Sequence, residues 1–548
     1  MLVGLNSANK FSYVRSAYQQ NLPIMNPIKT GNFHGAALSP LNQDKFEGNT
    51  IKNNVSYISF GSLGPQKEFS VGAMAPLLIN TDNELEMRKF NNDLQFAKDN
   101  GVKSISVDVW WGVVQKEGEQ KFDWKYYDKI FKTIKDKGLN LTPILSTHLC
   151  GGNVGDNVNI PIPKWTWDYL AENLGMDTKI NDSDFSFTKM LKQKQKDGLY
   201  YTNEHGDRIS EVVPVWYDDI IMPKYNAFAQ EFKNHFVSTA NSELNMKNII
   251  DEIHVSCGPS GELRYPTYGE NLKGAEFPTR GWLVGYGQGG KNSFQKYAEA
   301  KYNNIYRLNS AWGTNLESFK DIQAPHNNSA TEGMATEFVN LKHYENHPYG
   351  KDFLEWYHNT LVKHGEDILT GAHEVFKDTD IPIAIKIPGI HWQMNNPTTP
   401  RIAEIVSGQI DSNLTKENDY GYKSFFDMVK SVKNRYNKND TITYFTCLEM
   451  DNDLTGFSNG KSTNSAARTL VDWVLDAAKK RGLTIKGENA IEGSLLGENA
   501  WNNFKYHAWG GYDGATFLRV GTLRDNKYFK DFMNWLNRDL MQKLKNAA

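Results

Sequence analysis

Two glutamates stand where this chain could do acid–base chemistry. Glu262 lies in GPSGELRYPTY (258–268), between a glycine-rich turn and an arginine–aromatic stretch. It follows an apolar run, IIDEIHVSC (249–257), that reads as a buried strand. A carboxylate at the mouth of such a strand is costly to desolvate, so its proton affinity should be perturbed. Glu488, in KGENAI, follows a second short apolar run. Two glutamates at strand ends, far apart in sequence, are what acid–base cleavage of a glycosidic bond needs. The residue types point to an enzyme.

Positioning such groups requires a scaffold of strand ends, and the chain supplies eight. Short apolar runs at 69–78, 102–111, 139–147, 249–257, 381–390, 441–448, 483–487 and 514–520 alternate with amphipathic stretches. Tyr127, Ile130, Phe131 and Ile134 recur at helical spacing, as do Tyr225, Phe228, Ala229 and Phe232, and Ala467, Leu470, Val471 and Val474. Glycines in DKGLNL and KRGLTI mark helix ends that lead into the next strand. Alternating strands and helices predict a parallel sheet, and eight repeats predict an α/β fold of the (β/α)8 TIM-barrel type. In that fold the site lies at the C-terminal strand ends. Asp108, His148, Glu262, Lys386, Thr446, Glu488 and Arg519 each fall at or near the end of a different run. A doubly wound open sheet is the structural alternative.

The connection from His148 to about residue 248 is far longer than usual and carries a helix of its own, 218–236. Another excursion, 264–350, follows the fourth run. Together they predict a lobe over the barrel mouth. The Lys-rich piece 189–198 reads as a solvated insertion. About thirty residues follow Arg519, room for a last helix and not for a C-terminal starch-binding domain.

Composition narrows the function. The 548 residues carry a net charge of −3, too weak a field to select nucleic acid or an anionic membrane. No apolar stretch reaches the roughly 18 residues of a membrane helix. Aromatics make up 12%, which suits a sugar-binding cleft and a large core equally. Cys150, Cys257 and Cys447 show no metal or disulfide spacing and read as buried free thiols. The N-terminus, MLVGLNSANKFSYVRS, lacks a secretory apolar core, which favours an intracellular location. Residues 1–43 contain no Asp or Glu, as transit peptides do, but 1–68 reads as a disordered extension before a catalytic barrel at 69–548.

HLCGGNVGD (148–156) alone could be a tight turn with a satisfied histidine. Beside GPSGELRYPTY, KIPGIHWQM (386–394), FTCLEM (445–450), GENAI (487–491) and GATFLR (514–519), it joins an ordered set. That set closely resembles the β-amylases, the inverting, exo-acting α-1,4-glucan hydrolases of glycoside hydrolase family 14, over roughly residues 70–545. The resemblance implies Glu262 as general acid and Glu488 as general base. It implies Asp108, His148, Asp156 and Arg519 on the non-reducing side of the cleavage point, and Lys386 and His391 beyond it. Thr446 falls on a mobile inner loop, Asn489 and Ala490 line the cleft beside the base, and 151–155 forms a lid. No cofactor is implied, and the partner is an α-1,4-glucan met by a monomer.

Some positions compete or depart. Glu498 repeats the GENA string ten residues after Glu488, but LLGENAW reads as a helix start. Glu449 is read as an anchor for the loop carrying Thr446. Leu149 and Pro388 stand where the family usually has a polar residue and a serine. Gln115 replaces a carboxylate in a segment, WWGVVQKEGEQ, where some bacterial members bind calcium, so no metal is expected. GYGQGG (285–290) fits a dinucleotide pattern without the strand–turn–helix it needs, and is read as a loop. The rival functions are a catalytically silent glucan-binding relative, which should have lost functional positions, and a retaining endo-acting barrel glycosidase, which product anomer would reveal.

Overall fold

The computed structural model describes residues 69–153, 155–181, 183–325, 335–437, 439–524 and 526–543. The expected N-terminal extension, 1–68, lies outside the described residues. Eight parallel strands close into a barrel in sequence order: β1 (Ser70–Met74), β2 (Ser104–Trp110), β3 (Asn140–Ser146), β4 (Ile253–Val255), β5 (Ile383–Ile387), β6 (Thr441–Phe445), β7 (Thr484–Glu488) and β8 (Gly514–Phe517). The ring closes through Ser70–Gly514 and the three following pairs of β1 with β8. All eight apolar runs became strands; seven are shortened, and the seventh in order, 483–487, is shifted by one residue to Thr484–Glu488. The fourth shrinks most, because Asp251 and Glu252 turn to other partners and the chain leaves the ladder at Cys257.

A helix follows each strand: α1 (Glu84–Asp99), α2 (Lys125–Asp136), α3 (Asp218–Phe236), α4 (Pro348–Phe376), α5 (Lys423–Arg435), α6 (Ala467–Lys479), α7 (Glu498–Gly510) and α8 (Lys527–Trp535). In α2 and α6 the helical spacing in the sequence is the buried stripe, and in α3 Phe228, Ala229 and Phe232 are buried while Tyr225 is half-buried. Tyr127, Ile130, Phe131 and Ile134 of α2 are buried, as are Ala467, Leu470, Val471 and Val474 of α6. Gly138 and Gly482 end α2 and α6 with φ of 67° and 65°, the left-handed cap in which a Cβ is unfavourable.

The two long excursions carry short helices and hairpins. Ser186–Asp197 contains the Lys-rich piece and buries none of its residues, although Lys192 pairs with Asp177 and Asp184. The GYGQGG segment departs from its expected form. Gly287 caps a helix, Gln288–Tyr302, so only its first half is loop. Gly289 and Gly290 let that helix dock: a Cβ would stand 2.2 Å from Tyr217 Oη or 2.6 Å from Gly285. The three cysteines are buried free thiols. Among the described residues no helix is long and apolar enough to cross a membrane.

Helix-to-barrel packing sets the stability. Ile134 on α2 is fully buried, so Ile134→Ala should destabilise the fold by about 2–5 kcal/mol. A thermal melt lowered by several degrees is the expected result.

Candidate active site

The polar residues at the strand ends meet around one cation. Lys386, in β5, is buried, and its Nζ lies 2.7 Å from Oε1 of Glu488, the last residue of β7. Glu262 reaches the same place by a different route. After β4 the chain makes a short turn, Pro259–Gly261, and Glu262 then pairs in parallel with Lys386. Gly258 makes that turn possible, since a Cβ there would lie 2.4 Å from the Glu262 carbonyl oxygen. Arg264 Nε donates to Glu262 Oε2 at 2.9 Å.

Burial pushes the Glu262 carboxyl above the usual glutamate range, although Arg264 and Lys386 pull it down; the charge of Glu488 acts with burial. For Lys386 burial alone would favour the neutral amine. The carboxylates of Glu488, Glu262 and Asp108 outweigh it, so the ammonium is held charged. Asp108, on β2, accepts from Ser146 Oγ at 3.0 Å. Its proton affinity is raised by burial and opposed by Arg519 and Lys386. Arg519 follows β8, with Nη1 3.5 Å from the Ala75 carbonyl beyond β1.

His148 stands after β3, its Nδ1 2.8 Å from Ser256 Oγ and its ring edge-on to Trp110. Burial lowers its pKa to about 3, so it meets a ligand as neutral imidazole. Asp156 closes the glycine segment on itself: its Oδ2 accepts the backbone N–H groups of Gly151, Gly152 and Asn153 at 2.9–3.0 Å. Its place is the hub of this turn. His391 lies further out, Nδ1 2.8 Å from Ser465 Oγ, with burial lowering its pKa to about 4.

The Glu488 side is cross-braced. Thr446 Oγ1 accepts from Gly389 N, and Leu448 N donates to the Glu488 carbonyl at 3.2 Å. Glu449 Oε1 accepts from Ala490 N and Ile491 N, both at 3.0 Å, and burial raises its pKa to about 7. It therefore anchors the segment after Glu488 to the loop carrying Thr446. Asn489 Oδ1 accepts from Leu518 N at 2.9 Å, joining β7 to β8. Glu498 is exposed at the first position of α7, away from the cluster. Beneath the site, Glu252 accepts from Tyr444 Oη and from Lys486 Nζ at 2.6 Å, and lies 3.1 Å from His254 Nε2. Burial alone would raise the Glu252 pKa; His254 and Lys486 bring it to about 2.

Sequence reasoning missed Arg264, Ser256, Glu211 and this charged floor. Arg264 carried a signal, a cation two residues beyond Glu262. Glu211 and Ser256 carried none, because their partners are distant in sequence, and Glu252 has only His254 nearby, with Tyr444 and Lys486 far along the chain.

Residues 72–546 match the family described as glycosyl hydrolase family 14. The chain belongs to glycosyl hydrolase family 14. Family 14 proteins similar to it include the thermophilic β-amylase of Thermoanaerobacterium thermosulfurigenes, 36% identical over 458 residues, or 83% of this chain and 71% of that protein. The β-amylase of Medicago sativa is 30% identical over 86% of this chain and 85% of its own length. Among solved structures, the catalytic domain of the Paenibacillus polymyxa β-amylase is 33% identical, with a TM-score of 0.67 over 86% of this chain and 98% of that one. Where bacterial members of family 14 suggested a calcium segment, Gln115 binds Trp111 and the Glu119 carbonyl, and Lys224 pairs with the Glu119 carboxylate.

Glu488 and Glu498 share a sequence string but not an environment. Glu488→Gln should lower the hydrolytic rate by on the order of 10²–10⁴, while Glu498→Gln stays near wild type. Parallel assays of the two purified variants decide between the repeats.

Proposed function

We propose that this chain removes successive β-maltose units from the non-reducing ends of starch-like α-1,4-glucans by an inverting mechanism. The observation that carries the reading is the pair of glutamates from β4 and β7 that flank Lys386 in different surroundings. Glu262 is buried beside Arg264 and favours its proton. Glu488 is oriented through one oxygen by Lys386.

In this reading Glu262 protonates the glycosidic oxygen as its bond to the anomeric carbon breaks. Water attacks that carbon from the opposite face while Glu488 takes the water's proton. One displacement turns the α bond into a β hemiacetal, and the two protons moved leave the pair ready to be reset through solvent. Asp108, His148 and Arg519 bind the sugar on the non-reducing side, Lys386 and His391 the sugar beyond the cut, and the Asp156-centred lid covers the chain end. Thr446, Asn489 and Ala490 hold the floor beside the base.

Soluble starch incubated with purified protein should yield maltose from the first minutes, with the β-anomeric proton signal rising before the α. An early α signal, or longer oligosaccharides as first products, would refute the exo-acting inverting reading. The pH profile gives a second check. Because the Glu262 proton is held more tightly than in free glutamate, the alkaline limb of kcat/KM should lie above the ordinary carboxyl pKa of about 4.3.

A further inference from the structure

Glu211 belongs to no motif and lies in the excursion between β3 and α3, yet it is wired to the site. Its Oε1 accepts from Asn153 Nδ2 at 2.5 Å, and its carbonyl accepts from Leu149 N at 2.8 Å. The same Asn153 accepts, through Oδ1, from Arg264 Nη2 at 3.2 Å. Arg264 donates from Nε to Glu262 at 2.9 Å, and its guanidinium is covered by the Tyr268 ring, 4.1 Å from the centroid. The Asn153 side chain thus links Glu211 to the buried Arg264, whose charge acts on both carboxylates.

This arrangement answers a chemical difficulty. A general acid must hold a proton when the substrate arrives, and a guanidinium against its carboxylate favours the anion. An uncompensated Arg264 would work against Glu262. A second anion next to the guanidinium offsets that pull.

We propose that Glu211 is a positioning residue of the hydrolysis: it shares Arg264 with Glu262 so that the acid retains its proton, and Asn153 ties this balance to the lid. The inference rests on the reading of Glu262 as the acid. Around Glu211 the charged groups are Arg264, Asp156 and Glu262; around Glu262 they are Arg264, Lys386 and Glu488, with the Tyr268 and Cys447 side chains beside it. Burial raises the proton affinity of Glu211, while Arg264 and the Asn153 hydrogen bond oppose it and favour the charged form that the balance needs.

The test is the pH dependence of kcat/KM on maltodextrin for wild type, Glu211→Gln and Arg264→Gln. Removing the Glu211 charge should move the alkaline limb to lower pH by on the order of one unit, with activity recovering toward wild type below the limb. Removing the Arg264 charge should move the limb the other way. A merely structural role for Glu211 lowers activity equally at every pH and leaves the limb in place; that outcome overturns the proposal, as does an upward shift. If circular dichroism shows Glu211→Gln unfolded, Asn153→Ala decides: losing the hydrogen bond that favours the Glu211 anion should also lower the limb, and a limb that stays or rises there overturns the proposal. The underlying assignment fails separately: wild type that releases no maltose sinks the hydrolase reading, whereas active wild type with unmoved limbs sinks only the role of Glu211.

Discussion

The site depends on a buried balance of charge. Asp108, Glu262 and Glu488 are carboxyl groups drawn from three strands or strand ends into a desolvated space. Left to themselves such groups repel, and each would be costly to bury as an anion. Lys386, Arg264 and Arg519 make the assembly tolerable, each cation facing more than one acid or arriving from a different strand. Lys386 is central, since it faces all three acids at once. The barrel matters because it brings Asp108 of β2, Glu262 after β4 and Glu488 of β7 into the field of this ammonium on β5.

That balance also creates the chemical asymmetry. Glu262 and Glu488 are the same residue type, yet one sits behind a tight turn against a guanidinium and the other ends a strand against an ammonium. In the proposed mechanism these different surroundings are what divide the acid role from the base role. The turn before Glu262 shows how local sequence serves this end: glycine at 258 lets the backbone double back on itself, and the carboxyl is delivered beside Lys386 without the strand continuing.

Much of this was legible in the sequence because it is periodic or local. Eight apolar runs and three helical stripes are short-range patterns, and the barrel follows from counting them. The choice of Glu488 over Glu498 was also local: one GENA ends a strand and is buried, the other starts a helix and is exposed. What could not be read was long-range. The sequence places Asp156 in the glycine segment, but only the folded loop shows its Oδ2 receiving three backbone N–H groups. Glu211 meets Arg264 through a residue 58 positions earlier, and Glu252 meets Lys486 across 234 positions. Pairings between distant polar side chains leave no periodic trace.

The cross-bracing on one side of the barrel mouth has a consequence for how this fold can change over time. Glu449 fastens the β7 segment to the β6 loop, and Asn489 fastens β7 to the chain after β8. A residue inserted there would break several bonds at once and displace Glu488. The opposite side is built from long excursions whose helices are partly exposed, including Ser186–Asp197 with none of its residues buried. New chain length can be absorbed on that side without disturbing the base. Loop growth in descendants of this sequence should therefore accumulate in the exposed outer parts of those excursions, such as Ser186–Asp197, and not at Asn153 or Glu211, whose bonds lead to Arg264 and Glu262.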